Sequence, residues 1–442
     1  MITITNAWIS QVVNLSLQPV FGDLIIEDGK ISGIRPKDFH HFLSDPGEVP
    51  AHAFNAGGRV VTIPLVNFHD HLYSRLAKGL AVQGPMDNFL QVLENLWWKL
   101  DLALDIDMVE ACAYMGAMES IRRGVTYIFD HHASPRATRK SLAALANVFR
   151  RYGLRGVFCF ETSDRNGDAL ALQGLEENAQ FFKEQCGGDF HAMMGLHASF
   201  TLTDETLAKA SEIIRKEGLG IHIHLCEDRV DEEKSRELYG LSPVRRLTKF
   251  KLLNPRSILS HGIHVSESDY AVIADSGSAI AYNPDSNLNN SVGLPEYKRV
   301  PGAIPILIGT DGMHADIPRS MKQLFLLYRY QGNDFGSAFQ WIQKVFFDQL
   351  AFIHAYFPDF PSLREGDRAD LLIWDYVPPT PFTADNFWGH YIYGILERPV
   401  QSVIQGGRFL MKNHQLQVED ESKILLDIYR QGERLFEAFK RV

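Results

Sequence analysis

Pro64-Leu65-Val66-Asn67-Phe68-His69-Asp70-His71-Leu72 is the stretch on which the reading of this chain turns. An apolar run ends in two histidines one residue apart. A strand puts residues i and i+2 on one face, so His69 and His71 point the same way. Two imidazoles side by side at the end of a buried strand are costly to desolvate without partners. A divalent cation is the partner that neutral imidazole nitrogens serve best. A His-x-His pair also arises by chance in a chain with 17 histidines, so the pair gains weight only with further ligands.

Those ligands come from the segments on either side. Between about residues 60 and 361, short apolar strands alternate with longer helical segments. Strand 125–129 ends at Asp130-His131-His132, strand 154–160 at Glu161, and strand 191–196 at His197. Strand 220–225 carries His222 and His224, strand 257–260 ends at His261, strand 279–282 follows, and strand 304–308 leads to Asp311. Helices are expected over 88–102, over 108–123 with Gly124 as the stop, and over 141–152, 175–184, 204–217 (capped by Thr203), 242–252 and 267–274. Repeated βα units with ionisable groups just past the strands fit a (β/α)₈ TIM-type barrel of the α/β class, with its site at the strands' C-terminal ends. His69, His71, His224 and Asp311 then converge from different strands, three nitrogens and one carboxylate with a place left for water.

The two ends of the chain read differently. Residues 2–9, 24–27, 31–34, 369–375 and 400–411 are β-rich, with turns at Asp28-Gly29-Lys30 and Gly406-Gly407. They suggest a small β-sandwich domain formed from both termini, residues 1–59 together with 366–420. The barrel then spans 60–365 and a C-terminal helix 421–442. Residues 38–49 are polar and rich in turn formers, and read as a connecting loop.

Composition narrows the function. The 442 residues are 45% hydrophobic and 22% charged, ordinary for a globular protein with a sizeable core. A net charge of −10 argues against a nucleic-acid surface. The N-terminus has no basic region followed by an apolar one and no window approaches a membrane span, so a cytoplasmic protein without membrane partners is expected. Cys112, Cys159, Cys186 and Cys226 are widely spaced and form no CxxC pair, so a metal here must use N and O ligands.

Laid out this way, the chain resembles the deaminase and chlorohydrolase branch of the amidohydrolase superfamily. The motifs are Asn67-Phe68-His69-Asp70-His71, His224-Leu225-Cys226-Glu227, Ser260-His261-Gly262-Ile263-His264, Asn283-Pro284-Asp285-Ser286-Asn287 and Gly309-Thr310-Asp311-Gly312, in the family's order. A closer likeness is to the SsnA-type aminohydrolases, through Asn88-Phe89-Leu90 to Leu96-Trp97-Trp98, Asp130-His131-His132-Ala133-Ser134-Pro135, Glu161-Thr162-Ser163-Asp164-Arg165 and Leu196-His197-Ala198-Ser199-Phe200-Thr201-Leu202. The resemblance implies a mononuclear site with His69, His71, His224 and Asp311 as ligands and Glu227 and His261 as its acid/base pair. The family's bimetallic branch uses a modified lysine near the end of the fourth strand. Here that run is Met194-Gly195-Leu196-His197, which favours one metal. Gly262 stands where the family often has Cys. Residues 335–363 are shorter and more aromatic than usual, which leaves the last helices and the barrel closure open.

A bound divalent ion lowers the pKa of its water toward ~7 and so supplies hydroxide at neutral pH. Asp311 can take the water's proton, His261 can orient or share it, and Glu227 can protonate a ring nitrogen before ammonia leaves. His222 shares strand parity with His224. It reads more simply as an interior histidine below the site, and His264 as structural. Trp97, His131, Glu161, Asp164 and His197 are the candidate substrate contacts, each also readable alone as a salt bridge, cap or packing residue. Adjacent tryptophans do not share a helix face, so one of Trp97 and Trp98 is expected over the site and the other in packing. Asp285 and Asn287 most simply stabilise a loop, and Cys226 is a small buried residue.

The expected function is a metal-dependent aminohydrolase releasing ammonia from a cyclic amidine or guanidine-type ring. The cofactor is one divalent ion, Zn²⁺ first, with Fe²⁺ or Mn²⁺ also suited to N₃O ligation. The same water could serve a ring-opening cyclic amidase or a chlorohydrolase. A reading of another class is a catalytically silent metal-binding accessory subunit, which leaves Glu227 and His261 without a purpose. The partner is a small-molecule substrate, and the resemblance implies a homodimer or larger homo-oligomer.

Overall fold

The computed structural model describes every residue except Pro46, Glu48, Val49, Ala51 and Glu419. Eight parallel strand positions form the barrel: Leu65–Asp70, Val125–His132, Arg155–Phe160, a broken fourth strand, Ile221–Leu225, Ile258–His261, Ala279–Tyr282 and Ile306–Ile308. The break falls at Met193. Phe190–Ala192 pairs back with the third strand and Met194–Ala198 pairs forward with the fifth. Single bridges, Thr162 to Leu196 and Asp70 to Asp311, join the resulting four- and five-stranded sheets into a ring. These strands are buried on both faces, and away from the ionisable residues toward their ends they are mostly apolar for that reason. Phe68 on the first strand, for example, packs on Phe129 with ring centroids 5.0 Å apart and on Phe352 of an outer helix.

The second unit is a nine-stranded sheet drawn from both ends of the chain. Its core pairing is the antiparallel hairpin Ile2–Val13 with Ser16–Glu27, turned at Asn14-Leu15, continued by Lys30–Pro36. Val60–Thr62 links this hairpin to Leu371–Trp374, which pairs with Val400–Gln405, which in turn pairs with Arg408–Lys412. Val60–Thr62 also runs straight into the first barrel strand, so the sheet fixes where that strand starts. The indole of Trp374 donates to Thr62 Oγ1 at 2.8 Å across this junction.

Several helices differ from expectation. Within 38–49, Phe39–Ser44 is a helix capped by the Asp38 carboxylate rather than loop, while Pro46, Glu48 and Val49 lie outside the described residues. The helix expected over 175–184 starts earlier, as Asp168–Gln185; its first two turns bury only Ala171 and Gly174 and leave Leu172 exposed, so they show no apolar stripe. Arg229–Tyr239 escapes a periodicity reading since it buries only Asp231 and Ser235. Ile317–Tyr330 and the 20-residue Phe335–His354 close the barrel where the sequence left closure open, the latter burying Trp341, Ile342, Val345 and Phe346. Pro284–Asn289 is a short helix, so Asp285 and Asn287 sit on a helix and not in a loop. Among the described residues no helix is long and apolar enough to cross a membrane.

Candidate metal centre and active site

His69, His71, His224 and Asp311 each offer a ligand atom, and these four atoms lie within 4.8 Å of one another at the C-terminal mouth of the barrel. The neighbours of each ring show which atom is free. His71 Nδ1 donates to the His131 carbonyl at 2.6 Å and His224 Nδ1 to the His197 carbonyl at 3.0 Å. A carbonyl only accepts, so both Nδ1 atoms carry protons and both Nε2 atoms turn lone pairs inward, 3.1 Å apart. His69 Nδ1 lies 2.8 Å from His222 Nε2, and His69 Nε2 is buried without a hydrogen-bond partner. Asp311 Oδ1 completes the ring, 3.0 Å from His71 Nε2 and 3.7 Å from His69 Nε2.

Lone pairs that converge in a buried space need a positive charge between them. In the metal-free protein a proton fills that need. Burial pulls His71 down, but the hydrogen bond and charge of Asp311 outweigh it and raise the ring to about 9, while Asp311 is held well below the usual carboxylate range. His69 and His224, pulled down by burial first and then by neighbouring rings, stay neutral. A divalent cation bound by these four residues fits the donor set, since it satisfies every inward lone pair at once and displaces that proton.

Beside this cluster lie Glu227 and His261. Glu227 Oε2 is 3.4 Å from His261 Nε2, which is itself 4.0 Å from Asp311 Oδ2. Burial, helped by the charge of Asp311, pushes the Glu227 carboxyl well above the usual range, which favours its protonated form. Three of the turns that aim these groups are left-handed at non-glycine residues: Cys226 (φ 47°), His261 (φ 74°) and Asp311 (φ 54°). Each costs about 1–3 kcal/mol, strain that the surrounding fold must hold. Gly309 is needed for another reason, since a Cβ there would lie 2.4 Å from Asn283 Oδ1 and 2.6 Å from His69 Cβ.

The cavity over the cluster has an apolar wall of Phe89, Leu93, Trp97, Trp98 and Phe200, and an acceptor wall of Asp101, Glu161 and His197. Both tryptophans line it, against the expectation that one would only pack. Leu93–Trp97 is a π-helical turn between two short α-helices, and its extra residue per turn breaks the spacing that would separate neighbours onto different faces. Arg165 lies behind the lining, 4.7 Å over the Trp98 ring, with Nη2 3.1 Å from Glu161 Oε1 and 3.2 Å from Asp101 Oδ2. His197 Nδ1 bonds Thr201 Oγ1 at 2.8 Å and burial takes the ring down to about 3, so its Nε2 is an acceptor.

Two candidate contacts sit elsewhere. Asp164 accepts from the Thr203 amide at 2.7 Å and from Thr206 Oγ1 at 2.8 Å, outside the cavity, because it ties its loop to the start of the next helix. His131 is fully buried behind Glu161, its Nδ1 3.3 Å from Glu161 Oε2 and its Nε2 donating to the His222 carbonyl at 3.0 Å. His222 lies beneath His69, and His264 donates to the Val292 carbonyl at 2.7 Å, away from the cluster. Asp101 and Ser286 were missed by the sequence reading. Asp101 follows the π-helical turn, which no 3.6-residue period reveals, and Ser286 lies within a quoted motif whose geometry only the fold supplies.

The model described as Amidohydrolase family matches residues 60–410, more than three quarters of the chain. This chain belongs to the amidohydrolase family. It is a metal-dependent hydrolase of the aminohydrolase kind, acting on carbon–nitrogen bonds other than peptide bonds. Among its family relatives, the chain is 27% identical over 449 residues to the 5'-deoxyadenosine deaminase of Methanosarcina mazei, covering 98% of each chain. It is 26% identical to the 5-methylthioadenosine/S-adenosylhomocysteine deaminase of Desulforudis audaxviator, covering 94% of this chain and 95% of that protein. The crystal structure of an adenosine deaminase from Xanthomonas campestris with bound zinc aligns with a TM-score of 0.77 at 19% identity over 98% of each chain, a likeness of fold.

Proposed function

We propose that this family member deaminates a flat amino-substituted heterocycle of the aminopurine kind, with one divalent ion, zinc first, held by His69, His71, His224 and Asp311. The observation that carries the reading is the set of four converging ligand atoms lying beside the Glu227–His261 pair, with Glu227 Oε2 3.4 Å from His261 Nε2. A cation bound there supplies Lewis acidity that brings a water toward a pKa of ~7. Asp311 accepts the water's proton and His261 Nε2 stands ready to share it. Glu227 gives its proton to the ring nitrogen next to the carbon under attack. Water's oxygen bonds that carbon, the carbon–nitrogen bond breaks, and ammonia leaves with the protons these side chains return.

The apolar wall with Trp97 and Trp98 suits the faces of a planar ring, and Asp101, Glu161 and His197 offer acceptors to donors on the rest of the substrate. The names of the curated relatives, deaminases of adenosine-type compounds, support an aminopurine. A single ion is supported by the ligand count. Neither of the other ligand groups is independent of the first: the group of His71, His131, Glu161 and His224 reuses two of its imidazoles, and the group of Glu227, His261 and Asp311 reuses its carboxylate.

The test is ammonia release from amino-substituted purines, pyrimidines, pterins and guanidino compounds by metal-replete protein, with Glu227→Gln as the blank. Release above the blank from one ring type is expected. Silence across the panel with metal bound would overturn the deaminase reading.

A further inference from the structure

The proton-handling groups Glu227, His261 and Asp311 come from the ends of three different strands, yet one short segment touches all three. Ser286 Oγ lies 2.5 Å from Asp311 Oδ2, and since a carboxylate only accepts, Ser286 donates. Asn287 Oδ1 lies 2.9 Å from His261 Nδ1. Asn290 Nδ2 lies 3.3 Å from Glu227 Oε1 and 3.3 Å from Ser286 Oγ. The segment is itself fixed: Asp285 at its start accepts from Arg319 Nε at 2.8 Å and Ser320 Oγ at 2.9 Å.

We propose that the helix Pro284–Asn289 with Asn290 is a positioning device that assigns each proton of the acid/base set to one atom. This rests on the roles given above to Glu227, His261 and Asp311. Donors and acceptors are used in one consistent direction. Ser286 gives its only proton to Asp311 Oδ2, leaving Oδ1 to face the ligand cluster. Its lone pair then accepts one proton of the Asn290 amide, and the other amide proton goes to Glu227 Oε1. With Oε1 occupied by a donor, the place left for a proton on the Glu227 carboxyl is Oε2, the oxygen that faces His261 Nε2 at 3.4 Å. His261 Nδ1 lies 2.9 Å from Asn287 Oδ1 and 3.4 Å from the Asn283 amide nitrogen; the shorter contact has Asn287 accepting from Nδ1–H, so His261 Nε2 is the bare nitrogen, and it is buried with no hydrogen-bond partner of its own. Acid proton and base lone pair therefore face each other, and neither the carboxyl nor the ring can turn without breaking a bond to this segment. Ser286, Asn287 and Asn290 act through other residues and are positioning residues.

Supporting partners of this kind are worth roughly 10–100-fold in affinity or activity when removed. In metal-loaded enzyme, Asn290→Ala and Asn290→Asp are both expected to lower kcat by roughly 10–100-fold, with KM and metal content held. Asp matches Asn in size but cannot donate, so wild-type kcat in Asn290→Asp would overturn the proposal. Ser286→Ala is expected to fall likewise and Ser286→Thr, which keeps the hydroxyl, to recover; a Thr variant as poor as Ala would also overturn it. A readout free of turnover is ¹⁵N NMR of His261 in the metal-loaded protein, its signals identified by their loss in His261→Gln. The Nδ1–H tautomer is expected in wild type and a mixture in Asn287→Leu. An unchanged tautomer in Asn287→Leu contradicts the proposal, whereas failure of wild type to release ammonia would overturn the deaminase reading and leave the tautomer result standing.

Discussion

Asp70 and the two histidines that flank it stand together at the end of one strand and are partnered in opposite ways. Asp70 is buried, and both its oxygens accept from Arg75 Nη2, at 2.6 and 2.7 Å, with Asn67 Nδ2 adding a third bond at 3.0 Å. Arg75, also buried, reaches Glu119 at 3.2 Å from its Nε. The charge of Asp70 is thus answered inside the protein. His69 Nε2 has no hydrogen-bond partner and His71 Nε2 meets Asp311 Oδ1 at 3.0 Å, at a place lined, among the described residues, by acceptors and by no lysine or arginine. One strand therefore separates two tasks by direction: the outward residue locks the strand, and the inward pair awaits a ligand.

The largest expected effect breaks the inward half. His71→Ala or His224→Ala removes one of four converging ligands, and both metal and turnover should be lost, as read by elemental analysis and ammonia release. Glu227→Gln sharpens the contrast between holding metal and using it: metal content should stay and turnover should fall by about 10²–10⁴-fold, the range of a lost general acid. On the outward half, Arg75→Met leaves Asp70 buried without its cation, and stability should fall by about 3–5 kcal/mol in denaturant unfolding, with metal content per folded molecule kept.

The pH dependence of metal binding follows from the proton that the cation displaces. Asp311 raises His71 to about 9, so below that pH the ring is protonated and must lose a proton to bind. Apparent metal affinity should then rise about tenfold per pH unit up to about 9 and level off above it, as titration with a competing chelator would show. The smallest effect is Asp164→Ala. That carboxylate supports a loop and a helix start, so about 1 kcal/mol of stability should be lost while kcat stays, measured by thermal unfolding and turnover.

How much of this was legible in the sequence follows from the same contrast. The inward histidines are weak evidence as a pair and gain weight because the βα alternation puts His224, His261 and Asp311 at the same mouth. The fourth strand was readable only as one run, since its break at Met193 depends on how neighbouring strands register. A helix whose buried face is polar, such as Arg229–Tyr239, carries no apolar stripe and stayed hidden, whereas Phe335–His354 does carry one, at Ala338, Trp341, Ile342, Val345 and Phe346, and was passed over. Asp101 and the second tryptophan were out of reach because a π-helical turn resets the spacing between residues 93 and 97. Ser286 and Asn290 look like ordinary helix-end residues until the fold brings them to Asp311 and Glu227.

The most direct single measurement is the metal content of purified, metal-replete protein beside its His224→Ala and His222→Ala variants. The expected result is about one ion per chain in wild type, none in His224→Ala, and retention in His222→Ala with affinity weakened by roughly 10–100-fold, because His222 only supports the His69 ring. Full metal in His224→Ala, or its loss in His222→Ala alone, would contradict the assignment of the inward cluster as the metal centre.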